Sequence, residues 1–526
     1  MTQRLAPLRD ALALVTTLAV AAVAGCQRSS PITEPGSVAS VTVSPATLHI
    51  DVGQSAQLGA TPRDRNGNSL SGRPVTWATS DAAVATVDGA GRVTGVTAGS
   101  ATITATSEGV RGTATVTVTA PPPPSSGSCL DQTGPSLTLS GLQTAAFDNR
   151  NLAASTKLDA ATAQFTTSAL ETIYLAGGAN ICWSGGQVIG RYPPSTAWDT
   201  MHDSYGMIAH QPSFQLENYR AFNQGKGVSY DGAEDTDWSV RGIYVKYNRD
   251  DCVENDFLNS GTIDDSFFDG CYSGVSAQRY AASMDQDGHD NLVTMKNSLM
   301  RMQTMDAAYS GAVPNGNPFW KWDDLGPKLA LYNNVFRADA RAREDLGIRE
   351  TMVPPNLVDC SNNVMIWLGP SAFPYSYPAT FNGKTCFTIL TGQVGLAYWN
   401  AAVATWTAAH PFTQQDIAAP IVSLFSPGVV GDTILTGAVT LVATAVDDVG
   451  VVGVQFQLNG QNIGAEQLVN TAYQPADSRN WDLMHKYTLS WNSAAVSNGS
   501  YLLTAVARDA AGNSTTSSGV RVTISN

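Results

Sequence analysis

The sequence predicts an all-β chain, with a stacked coil of short strands in the middle and a β-sandwich on either side. The first observation is a recurring motif in which an apolar residue, an Asn or Asp beside a small polar residue, and further apolar residues follow one another. It reads Val253-Glu254-Asn255-Asp256-Phe257 and Ile263-Asp264-Asp265-Ser266-Phe267, then Met295-Lys296-Asn297-Ser298-Leu299. It returns as Leu331-Tyr332-Asn333-Asn334-Val335 and Cys360-Ser361-Asn362-Asn363-Val364. Short apolar strands punctuated by Asn turns are the mark of a chain that stacks on itself. The second observation is period-2 alternation on both flanks of this region. The third is composition. Only 14% of the 526 residues are charged, and Gly, Thr, Ser, Ala and Val abound, which suits β-rich exported folds.

The N-terminus reads as an export leader, residues 1–25. Arg4 and Arg9 precede an apolar run from Ala11 to Ala24 that is too short to span a bilayer. Val23-Ala24-Gly25-Cys26 resembles the lipobox of bacterial lipoproteins. That resemblance implies cleavage before Cys26 and acylation of its thiol and amine. Gln27 follows, rather than an Asp that would favour the inner membrane, so the expected location is the bacterial outer membrane or cell surface. The lipid would be the only membrane contact, and a Ser/Pro-rich tether, 26–37, would follow it.

The net charge is −14, and no basic stripe interrupts it. Binding of nucleic acid is therefore excluded. An acidic polysaccharide would be repelled unless local Lys/Arg or a bound cation offset the field. Six cysteines remain beyond Cys26, all in the middle region. An even number in an exported chain implies disulfides, with 15 possible connectivities. Cys252 and Cys271 lie about one coil apart, so the expected set is Cys252–Cys271, Cys360–Cys386 and Cys129–Cys182. A zinc site lacks both a C-x-x-C and a nearby His.

Residues 38–119 alternate in about seven short strands, as an antiparallel sandwich requires. Val41-Thr42-Val43-Ser44-Pro45, Val75-Thr76-Trp77, Val84-Ala85-Thr86-Val87-Asp88 and Gly91-Arg92-Val93-Thr94-Gly95-Val96 make this segment resemble the bacterial Ig-like group 2 domain. The family implies a spacer or adhesion module, with Trp77 in the core. Pro121 to Pro124 stiffen a linker, 120–127. Residues 128–418 form the coil domain and 419–526 a second β module. Val439 to Ala445, the Asp447-Asp448-Val449-Gly450 turn and Tyr501 to Asn513 resemble the Ig-like modules appended to secreted bacterial polysaccharide-degrading enzymes. Asp447, Asp448 and Asp509 read as turn formers, with calcium ligation as the alternative.

Within the coil, equivalent positions from Phe214 to Ala277 recur every 19–24 residues, about one three-sided turn. Longer loops such as Ala307 to Asp324 interrupt later turns. Corner Asn side chains are expected to hydrogen-bond up and down the stack. Ala397 to His410 reads as a helix capping the last coil. The pattern resembles right-handed parallel β-helix proteins of the pectate-lyase-like superfamily, which implies an extended polysaccharide as partner. The catalytic motifs of that superfamily do not transfer. Asn248-Arg249-Asp250-Asp251 fuses an N-x-D with a D-D, and Gly288-His289 stands alone, but the G-H-G and R-x-K of polygalacturonases are missing. Arg191-Tyr192-Pro193 begins the R-x-P-x-x-R of pectate lyases, but Thr196 stands at the second Arg.

Read from the residues alone, the densest ionisable cluster is Lys246, Arg249, Asp250, Asp251, Glu254 and Asp256. If Val253 and Asn255 point inward, Glu254 and Asp256 project together, near Lys246 and Arg249. Two such carboxylates suit acid/base work on a glycosidic bond. Alternatively they hold calcium as a cofactor, with Lys246 or Arg279 as base. The plain alternative is a salt-bridged flank. A second patch, Trp198, Asp199, His202, Asp203 and His210, is placed on the same face. Trp238, Tyr244 and Tyr247 suit either sugar stacking or an inward ladder. The chain is thus expected to be a monomeric envelope protein that binds or cleaves a cell-surface or other extended glycan, as a polysaccharide lyase or glycoside hydrolase. The rival is a non-catalytic adhesin or glycan-binding protein on the same scaffold.

Overall fold

The computed structural model describes residues 36–51, 55–96, 99–119, 127–193, 196–303, 318–339, 356–369, 371–411, 416–426, 433–468 and 486–526. The leader, Cys26, the tether up to residue 35 and linker residues 120–126 lie outside them. The flanks are mainly antiparallel sandwiches, each with one parallel pair, Thr47–Asp51 on Val110–Thr119 and Thr433–Leu435 on Val520–Ile524. The first runs from Ser40–Ser44 to Val110–Thr119 around Ile103, Ala105, Val116 and Val118. The second runs from Ile421–Ser426 to Val520–Ile524 around Phe456, Leu441 and Val522.

Between them, from Ser136–Gln143 to Phe387–Thr391, parallel strands form a three-sided coil. One column stacks Cys182–Ser184, Gln215–Glu217, Trp238–Arg241, Gly261–Asp264, Leu292–Lys296, Lys328–Tyr332 and Leu357–Ser361. A second runs from Gln187–Gly190 through Arg220–Phe222 and on to Phe387–Thr391. A third stacks Tyr205–His210, Lys226–Ser229, the second halves of Tyr244–Glu254 and Phe267–Ala277, and Trp320–Trp322. Alternate residues point inward and build one apolar interior, including Val240, Ile263, Met295 and Leu331.

The Asn motif marks the corner between the first two columns. Asn218, Asp265, Asn297, Asn333 and Asn362 all hold φ between 47° and 59° there, and Gly242 holds 62°. That left-handed conformation favours Asn, Asp and Gly. The corner residues bond upward, Asn333 Nδ2 to Asn297 Oδ1 at 3.1 Å and Asn362 Nδ2 to Asn333 Oδ1 at 3.3 Å. The next residue of each motif turns inward and forms a second ladder. Asn363 Oδ1 accepts from Asn334 N, Asn334 Oδ1 from Ser298 N, and Ser298 Oγ from Ser266 N, at 3.0–3.1 Å. Asn255, grouped with these by sequence, belongs to a different corner, where it bonds Asn259.

All three expected disulfides are present: Cys129–Cys182, Cys252–Cys271 and Cys360–Cys386. The helix is longer than expected, Gly392–Ala409, and does not cap the last coil. It lies back along the second column, packing Tyr398, Trp399 and Trp406 against Phe267, Leu299, Val335 and Val364. One outward row of that column, Tyr244, Phe267, Leu299, Val335 and Val364, is apolar and lies under the helix, while the row beside it carries Lys246, Asp269, Arg301 and Arg337.

Candidate functional site

The polar cluster sits on the outward face of the third column. Register puts Val228, Val253, Val275 and Trp320 on one inward row. The adjacent row, Ser229, Glu254, Ser276 and Lys321, faces the other way. Glu254 is 2% exposed and Lys226 4%. Lys226 Nζ stands 2.7 Å from Glu254 Oε1, and Ser229 Oγ donates to Glu254 Oε2 at 2.7 Å. Lys226 also donates to Tyr205 Oη at 3.0 Å.

The neighbouring carboxylates have separate partners. Asp250 takes His202 Nδ1 at 2.7 Å, and Asp251 takes Lys321 Nζ at 3.1 Å. Asp256 accepts from Ser276 Oγ and from Gln278 N. Asp231 joins from the loop after the Lys226–Ser229 strand, beside the Tyr280 hydroxyl. Tyr280 is 41% exposed and lies edge-on to Phe257. One oxygen each of Asp231 and Asp251 is buried with no protein partner among the described residues.

Burial and crowding divide the cluster by charge. Burial first, and then the Glu254 charge, push the Asp256 carboxyl up to about 8 and the Asp231 carboxyl to about 7. Burial raises Asp251 to about 6 against the pull of Lys321. Burial opposes the charges on Lys226 and Lys321, but Glu254 and Asp251 outweigh it and hold both ammonium groups protonated. The hydrogen bond to Asp250 raises His202.

Several residues singled out by sequence lie elsewhere. Lys246 is apart from Glu254: its Nζ reaches the Asp448 carbonyl at 2.6 Å, against the C-terminal module. Tyr247, at φ 51°, turns the strand from the second column to the third, so Lys246 and Glu254 occupy different faces. Arg249 is fully buried and donates to the carbonyls of Pro193 and Thr196. Arg279 is held by Asp323 at 2.9 Å and by the Met284 carbonyl. Trp238 is 1% exposed, stacked on Tyr230 inside the coil. Tyr244 lies against Phe267 and Trp406, under the helix. Trp198 stacks on His202, which joins the cluster through Asp250, whereas His210 pairs with Asp235 at 3.2 Å. Asp199 and Asp203 are exposed. Lys226, Lys321, Asp231, Tyr205 and Tyr280 escaped notice in the sequence. The signal for Lys321 and Ser229 was the vertical row through Glu254.

Residues 37–118 match the model of the bacterial Ig-like domain (group 2), and residues 420–505 that of the bacterial Ig domain. Both flanks are bacterial Ig-like domains. Val96 of the first Ig-like domain packs in the cluster formed by Trp399 and Trp406 of the helix, so this domain meets the coil on its covered flank. The second meets it through Lys246, Gln187 and Arg191. No curated protein matches the chain. Among solved structures, the fibronectin(III)-like modules of Clostridium thermocellum CbhA align at 21% identity over 21% of this chain and 48% of that one, with a TM-score of 0.15. The endo-beta-1,4-mannanase from Thermotoga petrophila aligns at 10% identity over 45% and 39%, with a TM-score of 0.17. The chain thus spans less than half of either, and likenesses of this size inform neither fold nor function.

Proposed function

We propose that the chain is an exported, envelope-anchored protein whose coil binds and hydrolyses an extended, uncharged polysaccharide. The observation that carries this reading is the buried group of Glu254, Asp256, Asp250 and Asp251 with Lys226 and Lys321 on the outward face of the third column, in which burial and the Glu254 charge raise the Asp256 carboxyl to about 8. A carboxyl that keeps its proton at neutral pH is a general acid, and a neighbouring carboxylate is its complementary base. Asp256 gives its proton to the glycosidic oxygen as the C–O bond breaks. Glu254 takes a proton from the water whose oxygen forms the new C–O bond. Lys226 and Lys321, held charged, steady the carboxylates and cannot serve as bases, which favours hydrolysis over elimination. Tyr280 and Tyr205 at the rim offer faces for sugar rings. The net charge of −14 disfavours an acidic substrate. Three disulfides suit an oxidising compartment, and Ig-like domains suit a stalk.

A second reading, glycan binding without cleavage, is favoured by the pairing of both Glu254 oxygens, one with Lys226 and one with Ser229. The test is a panel of neutral and acidic polysaccharides incubated with the full chain. New reducing ends from a neutral glycan, lost in Asp256→Asn and Glu254→Gln, support hydrolysis. Products absorbing in the ultraviolet would make it a lyase. Retention on a glycan without products selects the second reading, and neither binding nor products removes both.

A further inference from the structure

A second group of carboxylates lies in the C-terminal Ig-like domain, where it meets the coil. Asp416 precedes its first strand, Asp447 follows the strand Ala438–Val446, and Asp509 ends the strand Gly499–Asp509. One oxygen from each lies within 4.8 Å of the other two. Two of the three also have local tasks. Asp447 Oδ2 caps Val449 N and Gly450 N, and Asp509 holds Asn513 through its backbone N and Nδ2. Asp447 is 6% exposed, and among the described residues neither its Oδ1 nor the buried Oδ1 of Asp416 has a hydrogen-bond partner. The adjacent cation, Lys246, offsets their charge only in part, since burial still raises Asp447 and Asp416 against its pull, and its Nζ donates to the carbonyls of Asp447, Asp448 and Val449. Turn capping explains one oxygen of Asp447 and leaves the other buried beside further carboxylates, without a hydrogen-bond donor among the described residues.

We propose that Asp416, Asp447 and Asp509 form a calcium site that fastens the second Ig-like domain at its junction with the coil. Oxygen-only donors select a hard cation. Oxygens that all lie within 4.8 Å of one another can close on a single ion, and calcium accepts several carboxylates in irregular geometry where magnesium demands a near-ideal octahedron and keeps its waters. Bound calcium would relieve the mutual repulsion that burial imposes, and would stiffen the Asp447–Gly450 turn from which Lys246 hangs.

The experiment uses the full chain, stripped with a chelator and titrated calorimetrically with calcium chloride and, in parallel, magnesium chloride. One calcium per chain is expected at this site, with magnesium about tenfold weaker or worse. Asp447→Asn and Asp416→Asn should each weaken calcium binding about tenfold or more. Asn retains an acceptor for the turn amides, so both variants should unfold in chelator no earlier than the wild type. Calcium should raise the unfolding midpoint of the wild type alone. A wild type that takes up no calcium, or variants that bind it as the wild type does, would overturn the proposal. A variant that fails to fold in chelator is set aside for the other, whose titration then decides.

Discussion

Lys226 and Glu254, one coil apart, form an ion pair of 2.7 Å between side chains that are 5% and 3% exposed. Breaking such a pair by removing one partner leaves a buried, uncompensated charge. Lys226→Met should therefore cost about 3–5 kcal/mol. The double variant Lys226→Met/Glu254→Leu should regain most of that, since an apolar pair satisfies the site without charge. Urea unfolding of both variants checks this. A single variant no weaker than a surface substitution would show that Ser229 and Tyr205 suffice.

Asp256 titrates in the opposite sense to a salt-bridged acid. The unfolded carboxyl loses its proton near 3.8, and the folded one holds it to about 8. Between those values the folded state binds the extra proton, so the contribution of this group to stability falls as pH rises through the window and is level above it. Asp231, raised to about 7, adds to the same slope. Asp256→Asn mimics the protonated form at every pH. Its unfolding midpoint should gain on that of the wild type as pH rises from about 4 to about 8. On the proposed mechanism, wild-type cleavage declines above pH about 8 as the acid is lost. A constant difference between the two proteins across that range would contradict the raised carboxyl.

The inner ladder supplies a test of the coil itself. Asn334 is fully buried and accepts from Ser298 N while donating to Asn363 Oδ1 and to the Met295 carbonyl. Asn334→Ala leaves the Ser298 amide and the Met295 carbonyl without those bonds, at about 1–3 kcal/mol for each buried group left unsatisfied. Asn333→Ala acts differently, through the left-handed backbone at φ 56°, and should cost about 1–2 kcal/mol. Chemical denaturation of the two variants should rank Asn334→Ala as the more damaging.

The corner was legible because backbone geometry writes itself into residue type. A left-handed φ at this corner favours Asn, Asp or Gly, and Asp265, Asn297, Asn333 and Asn362 recur for that reason. The disulfides were legible because Cys252 and Cys271 lie one coil apart, and the flanking sandwiches because alternation survives in sequence. The site was only half legible. Glu254, Asp256, Asp250 and Asp251 cluster in sequence and in space, but their cations come from other coils. Lys226 is a coil earlier, and Lys321 follows a long insertion that hides the spacing from Ser276. Lys246 was misplaced because nothing in its own residue type reveals that Tyr247 turns the chain around a corner.

The helix over the second column gives the last test. Trp406 is 6% exposed, meets Phe267 edge-on at 5.4 Å and Tyr244 at 5.8 Å, and its Nε1 donates to the Asp265 carbonyl at 3.0 Å. It therefore joins an apolar contact to a hydrogen bond at the Asp corner. His410, next to the helix end, adds an ion pair to Asp265 at 3.1 Å. Trp406→Ala removes the ring and the indole donor together and should cost about 3–5 kcal/mol. Trp406→Phe keeps most of the apolar contact and loses the hydrogen bond, so its cost should be smaller, about 1–2 kcal/mol. Because the helix shields the outward Phe267, Leu299 and Val335, the Ala variant should also bind an apolar dye more strongly than the Phe variant. Equal dye binding by both would mean that the helix stays seated without Trp406, held by Tyr398 and Trp399.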